Sequence, residues 1–188
     1  MTTNPGLRDH ITSAILDAAT TVLSEHGDAA SMAEVAEAAG VGRATLYRYF
    51  PSRDDLMRAL IKAALDDAHH RVVEADLESV PVPEAIARLT RALVASGTKF
   101  GVLMNDRIHI DPKEVDRQLG KPARSVFHRG VADGTLRDDL TPELLSDLFG
   151  GLLHGALRMT VQNHIGIERT SAIVTAMFLD GARATSPV

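Results

Sequence analysis

The sequence contains no cysteine and no tryptophan, and aromatic residues make up only 4% of its 188 positions. Without cysteine the chain has no disulfide, no thiolate zinc site and no cysteine nucleophile, so a metal would need histidine and carboxylate ligands. Few aromatic residues, with many alanines and leucines, favour helices over a sheet. The hydrophobic fraction of 45% is typical of a chain with a packed core. We therefore predict an all-α globular protein.

Long apolar runs and catalytic motifs are also missing. No stretch approaches the ~20 apolar residues of a membrane span, and the first residues lack the apolar core of a signal peptide. We expect a cytoplasmic protein with no membrane partner. No nucleophile motif, glycine-rich phosphate loop or pair of carboxylates in an apolar setting is present. The sequence therefore predicts a protein that is not an enzyme and that carries no cofactor.

Acidic residues outnumber basic ones overall, but positive charge is concentrated in one segment. The net charge is −5, which by itself argues against a nucleic-acid partner, since affinity for DNA depends on neutralising phosphates. Residues 40–53, however, contain Arg43, Arg48 and Arg53 and no acidic residue. Because a nucleic acid meets a local surface rather than the whole charge, this segment is a candidate contact.

Helical spacing and capping signals predict three helices before residue 50. Apolar residues three or four apart between Leu7 and Val22 predict a first helix that ends at Gly27. Ser31 and Glu34 form a capping box that opens a second, short helix. The turn at residues 40–42 separates it from a third helix over residues 43–49.

The remainder of the chain also has a helical pattern, and we expect about nine helices in all. Pro51 and a second capping box, from Ser52 to Asp55, open a fourth helix that runs to about Leu77. We then expect a helix over 83–96 that ends at Gly97, and a short helix in 100–110. A break is expected near Gly120 and Pro122, followed by a main helix over 123–132. The last two expected helices are an apolar one from Pro142 and one over 168–183.

The second and third helices have the dimensions of a helix-turn-helix. On the third helix, Leu46 and Phe50 share one face, and Ala44, Tyr47 and Arg48 point away from it. Small, hydroxyl and cationic side chains suit an element that enters the DNA major groove. The alternative is that the aromatic residues only fill a helix junction.

The run AEVAEAAGVGRATLYRYFPSRDDL, from Ala33 to Leu56, resembles the DNA-binding signature of TetR-family regulators. The resemblance implies a helix-turn-helix domain over 1–53 and a ligand-binding and dimerisation domain over 54–188. It implies contact with double-stranded operator DNA by Ser31, Gly42, Arg43, Ala44, Thr45, Tyr47, Arg48, Tyr49 and Arg53. Ser31, Tyr47, Tyr49 and Arg53 would contact phosphates, and Arg43, Ala44, Thr45 and Arg48 would face bases.

Three positions depart from the pattern of the family. Gly42 stands where serine is common, so a helix cap and a possible phosphate ligand are lost. Arg53 replaces the usual lysine and should keep its phosphate contact. Thr12 stands where a basic residue often begins the first helix, which removes one backbone contact.

From Lys62 onward the resemblance is architectural. It implies a homodimer whose operator is released, as in a repressor, when a small-molecule effector of unknown identity binds. Candidate pocket residues are Phe100, Leu103, Met104, Arg107, His109 and Phe127. Candidate dimer contacts on the last two helices are Leu148, Gly151, Leu152, Gly155, Ile173 and Met177. For both sets, ordinary core packing is the alternative.

Two other functions stay open at this level. A helical interaction module without DNA binding would explain the helical bundle but not the cluster of arginines without acidic residues. A small-molecule-binding enzyme is the other alternative, but the sequence contains no catalytic motif. Metal binding is not expected, because His69 and His70, and the group Asp106, His109 and Asp111, lack a pair of histidines three or four residues apart.

Overall fold

A computed structural model describes residues 5–99, 112–163 and 165–183. Within these ranges the chain is helical and contains no strand, which confirms the predicted all-α class. The helices are α1 (Pro5–His26), α2 (Met32–Ala38), α3 (Arg43–Tyr49), α4 (Arg53–Glu74), α5 (Val82–Lys99), α6 (Pro112–Val115), α7 (Lys121–Ala132), α8 (Pro142–Asn163) and α9 (Ile167–Ala182). The predicted short helix over 100–110 lies outside the described residues.

The chain forms two compact units, residues 1–63 and residues 64–188. Helix α4 contributes to both, because the division falls after Ala63, inside this helix. The predicted domain boundary after Arg53 lies one residue inside α4 and before the division between the two units. Where the DNA-binding part ends in a functional sense stays a prediction.

The first unit is a three-helix arrangement to which the start of α4 is added. Helix α1 packs on α2, and α2 packs on α3. Ile15 of α1, Val35 of α2 and Leu46 of α3 are buried, as are Leu56 and Leu60 of α4. Burial of each of these side chains stabilises the unit by roughly 1.5–3 kcal/mol. The small core therefore fixes which face of α3 points outward.

The second unit is organised around three phenylalanines from different helices. Phe127 of α7, Phe149 of α8 and Phe178 of α9 have ring centroids 5.3–5.6 Å apart in tilted or edge-on arrangements. Such pairs add about 0.5–1.5 kcal/mol each beyond the burial of their area. Helix α5 packs on α7, α8 and α9 and completes this core.

Gly97 does not end α5, contrary to the sequence prediction, because the helix continues to Lys99. A Cβ atom on Gly97 would lie 2.5 Å from Cδ2 of Leu157 in α8. Leu157 is itself buried. The glycine is therefore used for the close approach of a packed side chain and not for a helix end.

The predicted break near Gly120 and Pro122 is also wrong. A π-helical turn at Asp116–Gly120 joins α6 to α7, and the N–H of Lys121 donates to the carbonyl of Asp116, five residues back. The side chains of Asp116 and Arg124 form an ion pair. A Cβ on Gly120 would lie 2.5 Å from Oδ1 of Asp116, so the glycine leaves room for this pair.

Gly130 in α7 provides a test of the core. A Cβ there would lie 2.6 Å from Cδ1 of Leu136 and 2.9 Å from Cγ1 of Val82, and both side chains are buried. We expect Gly130→Ala to lower the free energy of unfolding by about 1–3 kcal/mol through overpacking. Urea unfolding measures the change.

Gly150 in α8 is the matched control. It also lies inside a helix, but no atom approaches within 4 Å of a Cβ placed on it. Gly150→Ala should be neutral or stabilise by up to ~1 kcal/mol, since alanine is the better helix former. Equal effects of the two substitutions would contradict the packing described around Gly130.

Candidate nucleic-acid interface

The helix-turn-helix is defined by caps at both ends of α2. Ser31 caps the start: its hydroxyl accepts from the N–H of Glu34 at 3.2 Å, and its own N–H donates to the Glu34 carboxylate at 2.7 Å. The end is a Schellman motif. Gly40, with a φ of +67°, allows the N–H of Val41 to reach the carbonyl of Ala36 at 2.9 Å. The turn between α2 and α3 is thereby held in one conformation.

Helix α3 has one buried and one exposed face. Leu46 is fully buried and Phe50 nearly so, whereas Tyr47 exposes 48% of its surface. Arg43, Ala44 and Arg48 are exposed as well, and Thr45 and Tyr49 are half-buried. The outward face thus carries the residue types that the sequence analysis assigned to it. That they contact bases or phosphates stays a prediction.

Gly42 supplies no cap to α3. It occupies the N-cap position in an extended conformation, without a side-chain hydrogen bond, and its carbonyl accepts from the N–H groups of Thr45 and Leu46. This agrees with the loss of a cap expected from glycine at this position. Gly42 is exposed, so its backbone remains accessible.

Two arginines lie at the ring of Tyr49. The guanidinium carbons of Arg48 and Arg8 are 5.7 Å and 6.0 Å from the ring centroid, within the range of cation–π attraction. Arg8 belongs to the first turn of α1 and is exposed. Sequence reasoning identifies the missing basic residue at Thr12 but misses Arg8, one turn earlier on the same helix. Arg8 therefore extends the basic surface of α3 onto α1.

Two of the predicted phosphate contacts are also used inside the protein. The hydroxyl of Ser31 donates to the Glu34 carboxylate at 2.7 Å, so contact with a phosphate requires the hydroxyl to turn away from this partner. The Arg53 guanidinium donates to the carbonyl of Ala30. This bond joins the start of α4 to the residue that precedes the capping box. Arg53 has a structural role besides any role on DNA.

The predicted effector site is only partly described. Phe100, Leu103, Met104, Arg107 and His109 lie outside the described residues. Phe127 is fully buried against Phe149 and Phe178, so its ring belongs to the core of the second unit. Its contact with an effector stays a prediction.

Three of the predicted dimer contacts, Leu148, Gly151 and Gly155, lie in an exposed apolar stripe on α8, and their contact with a second subunit stays a prediction. Residues 144, 148, 151, 155 and 159 recur at helical spacing, and Leu144, Leu148 and Met159 are 44–56% exposed. Among the described residues, nothing approaches within 4 Å of a Cβ built on Gly151 or Gly155. Leu152 is half-buried beside this stripe. On α9, Ile173 and Met177 are exposed by 43% and 61%.

The described ranges contain neither a metal-ligand cluster nor a membrane span. In residues 5–99, 112–163 and 165–183, no group of three or more histidine, aspartate or glutamate residues could hold a metal ion. Over those same ranges, no helix has the length and apolar character to cross a membrane.

Residues 15–60 match the family model of bacterial regulatory proteins of the tetR family. The transcriptional repressor LfrR of Mycolicibacterium smegmatis is 42% identical over 92 residues, which are 49% of this chain and 48% of LfrR. This alignment thus spans about half the length of that relative. The transcriptional regulator NfxB of Pseudomonas aeruginosa is 28% identical over 81% of this chain and 84% of NfxB.

The fold agrees with that of a solved structure of a TetR-like regulator. The structure of LfrR from Mycobacterium smegmatis in complex with proflavine superposes with a TM-score of 0.74 at 26% identity, over 94% of this chain and 99% of LfrR. The similarity therefore extends well beyond the N-terminal helices.

The capping box of α2 makes a prediction for stability against pH. Hydrogen bonds from the Ser31 hydroxyl and amide, with help from His26, hold the pKa of Glu34 below its ordinary value of 4.5. Because the folded pKa is lowered, this contribution to stability is present above pH 4.5 and is lost as the pH falls further. Glu34→Gln should therefore flatten the fall in unfolding free energy between about pH 5.5 and about pH 3.5.

Urea unfolding at the two pH values measures this difference. Glu37→Gln is the control, since it removes a carboxylate from the same helix outside the capping box. If both variants lose the same amount of stability on acidification, the capping box is not the source of the effect.

Proposed function

The chain belongs to the TetR family of bacterial regulatory proteins, and we propose that it is a transcriptional repressor that releases its operator when a small molecule binds. It binds double-stranded operator DNA as a homodimer through α3. Residues 1–53 form the DNA-binding part, and residues 54–188 bind the effector and the second subunit. The activity is regulatory and involves no chemical reaction.

The observation that carries this proposal is the division of α3 into two faces. Leu46 and Phe50 hold the helix on the first unit. The exposed remainder presents Ala44, Tyr47 and Arg48, and Arg43 is exposed at the N-terminal end of the helix. An arginine recognises guanine through its O6 and N7 atoms, and small side chains let the helix approach the base edges. We assign phosphate contacts at the rim of the groove to Tyr47 and Tyr49, with Arg8 beside the Tyr49 ring. Arg48 is assigned to the bases.

A second copy of the chain covers the apolar stripe of α8 and the exposed residues of α9. Glycine in a helix costs roughly 1 kcal/mol relative to alanine, and no neighbour among the described residues accounts for Gly151 or Gly155. Close approach of a partner helix accounts for both. The pair places two α3 helices on successive major grooves, about 34 Å apart along the DNA.

The effector acts through α4, the helix shared by both units. The dimer has one form whose α3 helices match the spacing of the DNA and another form whose α3 helices do not. A ligand that prefers the second form lowers the affinity of the protein for DNA, at most by the ratio of the ligand's affinities for the two forms. The ligand of the LfrR structure, proflavine, is the first probe for this chain.

Binding to DNA tests the function directly. We expect the purified protein to shift a fragment that flanks its own coding region in a gel assay at low salt. Arg43→Ala should relax base preference at one position per half-site at a cost of about 1–3 kcal/mol. Tyr47→Phe should weaken binding to all sequences alike, because it removes a phosphate contact.

Arg91→Ala is the control for the loss of a positive charge. Arg91 is exposed on α5 and pairs with Glu168 of α9, so both partners belong to the second unit. The substitution should leave affinity for DNA unchanged. The absence of a shift by the wild-type dimer would favour a helical interaction module instead.

Dimer formation is tested on α8 itself. A leucine at Gly155 has open space in the single chain but blocks the close approach of a second helix. Gly155→Leu should raise the dissociation constant of the dimer at least about tenfold, or ~1.4 kcal/mol, in sedimentation equilibrium.

Gly150→Leu is the matched control on the same helix. Gly150 lies about 140° around α8 from Gly155, on the side of the charged residues Asp147 and His154, and its Cβ position is equally open. It should leave the dimer intact. A dimer that tolerates leucine at both positions assembles through another surface.

A further inference from the structure

The main-chain carbonyl of Gln118, in the π-helical turn, forms a hydrogen bond with a side chain of α4. In an α-helix this carbonyl would accept from the N–H of residue 122, but Pro122 has none. The carbonyl instead lies 3.1 Å from Nδ1 of His69. Since a carbonyl only accepts, Nδ1 of His69 carries the proton and donates. The turn is thereby connected to α4 by one hydrogen bond.

The side chain of Gln118 is fixed by a carboxylate. Its Nε2 donates to Oε1 of Glu114 at 2.5 Å, and Arg117 pairs with the other oxygen of Glu114. A carboxylate requires a donor, so the amide has only one orientation. Its Oε1 therefore points away from Glu114.

This Oε1 atom is fully buried and has no hydrogen-bond partner in the described part of the chain. Buried acceptors in folded proteins are almost always paired, and an unpaired one is unfavourable. π-helical turns occur often at functional sites. The unpaired oxygen and the π-helical turn therefore both indicate that a ligand binds at Gln118.

We propose that Oε1 of Gln118 accepts a hydrogen bond from an N–H or O–H group of the effector, and that the bond between Gln118 and His69 passes this contact to α4. The inference rests on the proposed function and names the class of effector. A deprotonated carboxylate or a fully ionised phosphate ester has no donor for this oxygen. The effector class is thus a small molecule with an N–H or O–H donor, of which amines and phenols are examples.

The coupling follows from the two oxygens belonging to one residue. Because the Gln118 side chain is held by Glu114, a ligand bound to Oε1 acts on the π-helical turn as a whole, including the main-chain carbonyl of Gln118. His69 must then move with the carbonyl or lose its hydrogen bond. Because α4 begins at Arg53, the helix that responds is the one that enters the first unit.

Matched pairs of probes test the class of effector on the wild-type, full-length protein. Proflavine carries two amino groups that acridine lacks, and resorcinol carries two hydroxyls that are methylated in 1,3-dimethoxybenzene. We expect the donor-bearing member of at least one pair to bind at least about tenfold more tightly in equilibrium titrations. Equal binding within both pairs, or no binding of either donor probe, overturns the proposal.

Substitutions then locate the contact. Gln118→Met should reduce the affinity of the donor-bearing probe to within about threefold of that of its donor-free partner. Lys121→Met is the control, because it introduces the same side chain at an exposed position on the same helical segment, and it should retain the difference. A Gln118→Met protein that is folded by circular dichroism and still discriminates as the wild type does overturns the assignment.

The role of His69 is tested by separating binding from release. His69→Phe should bind the donor-bearing probe within about threefold of the wild type, yet the probe should no longer release the protein from DNA. Unchanged release overturns the coupling. If the wild-type protein does not bind DNA in the absence of a probe, the proposed function is contradicted instead. The titrations of the wild-type and Gln118→Met proteins need no DNA, so they test the contact at Gln118 in either case.

Discussion

The burial of Leu46 is the constraint on which the candidate interface depends. A seven-residue helix has little stability alone, so α3 keeps its place because Leu46 and Phe50 pack on the first unit. This packing also sets the rotation of α3 about its axis. The caps of α2 and the Gly40 turn bring the helix to that position, and the outward residues are presented as a consequence.

The first unit could be predicted almost completely from the sequence. Its signals are local: the Ser31 and Glu34 capping box, the glycine-containing turn at residues 40–42 and the spacing of Leu46 and Phe50 act within a few residues of one another. The structure confirms the elements that they predict. Arg8 escapes such reasoning because its relation to Tyr49 depends on how α1 packs, which no spacing in the sequence states.

The second unit shows where this reasoning fails. By sequence, Gly97 and Gly120 resemble helix ends because glycine often is one, whereas here each leaves room for a side chain from elsewhere, Leu157 and Asp116 respectively. Such contacts depend on packing and have no signature in sequence. The π-helical turn escapes prediction for the same reason. Pro122 removes the N–H that the Gln118 carbonyl would use in an α-helix, and the sequence does not show that His69 of α4 replaces it.

The hydrogen bond from Arg53 to the carbonyl of Ala30 has a mechanical meaning. It connects the first residue of α4 to the residue that immediately precedes the capping box of α2. A displacement of the N-terminal end of α4 therefore reaches the start of α2 through this bond as well as along the chain. A residue identified in the sequence for its charge thus also couples two helices of the first unit.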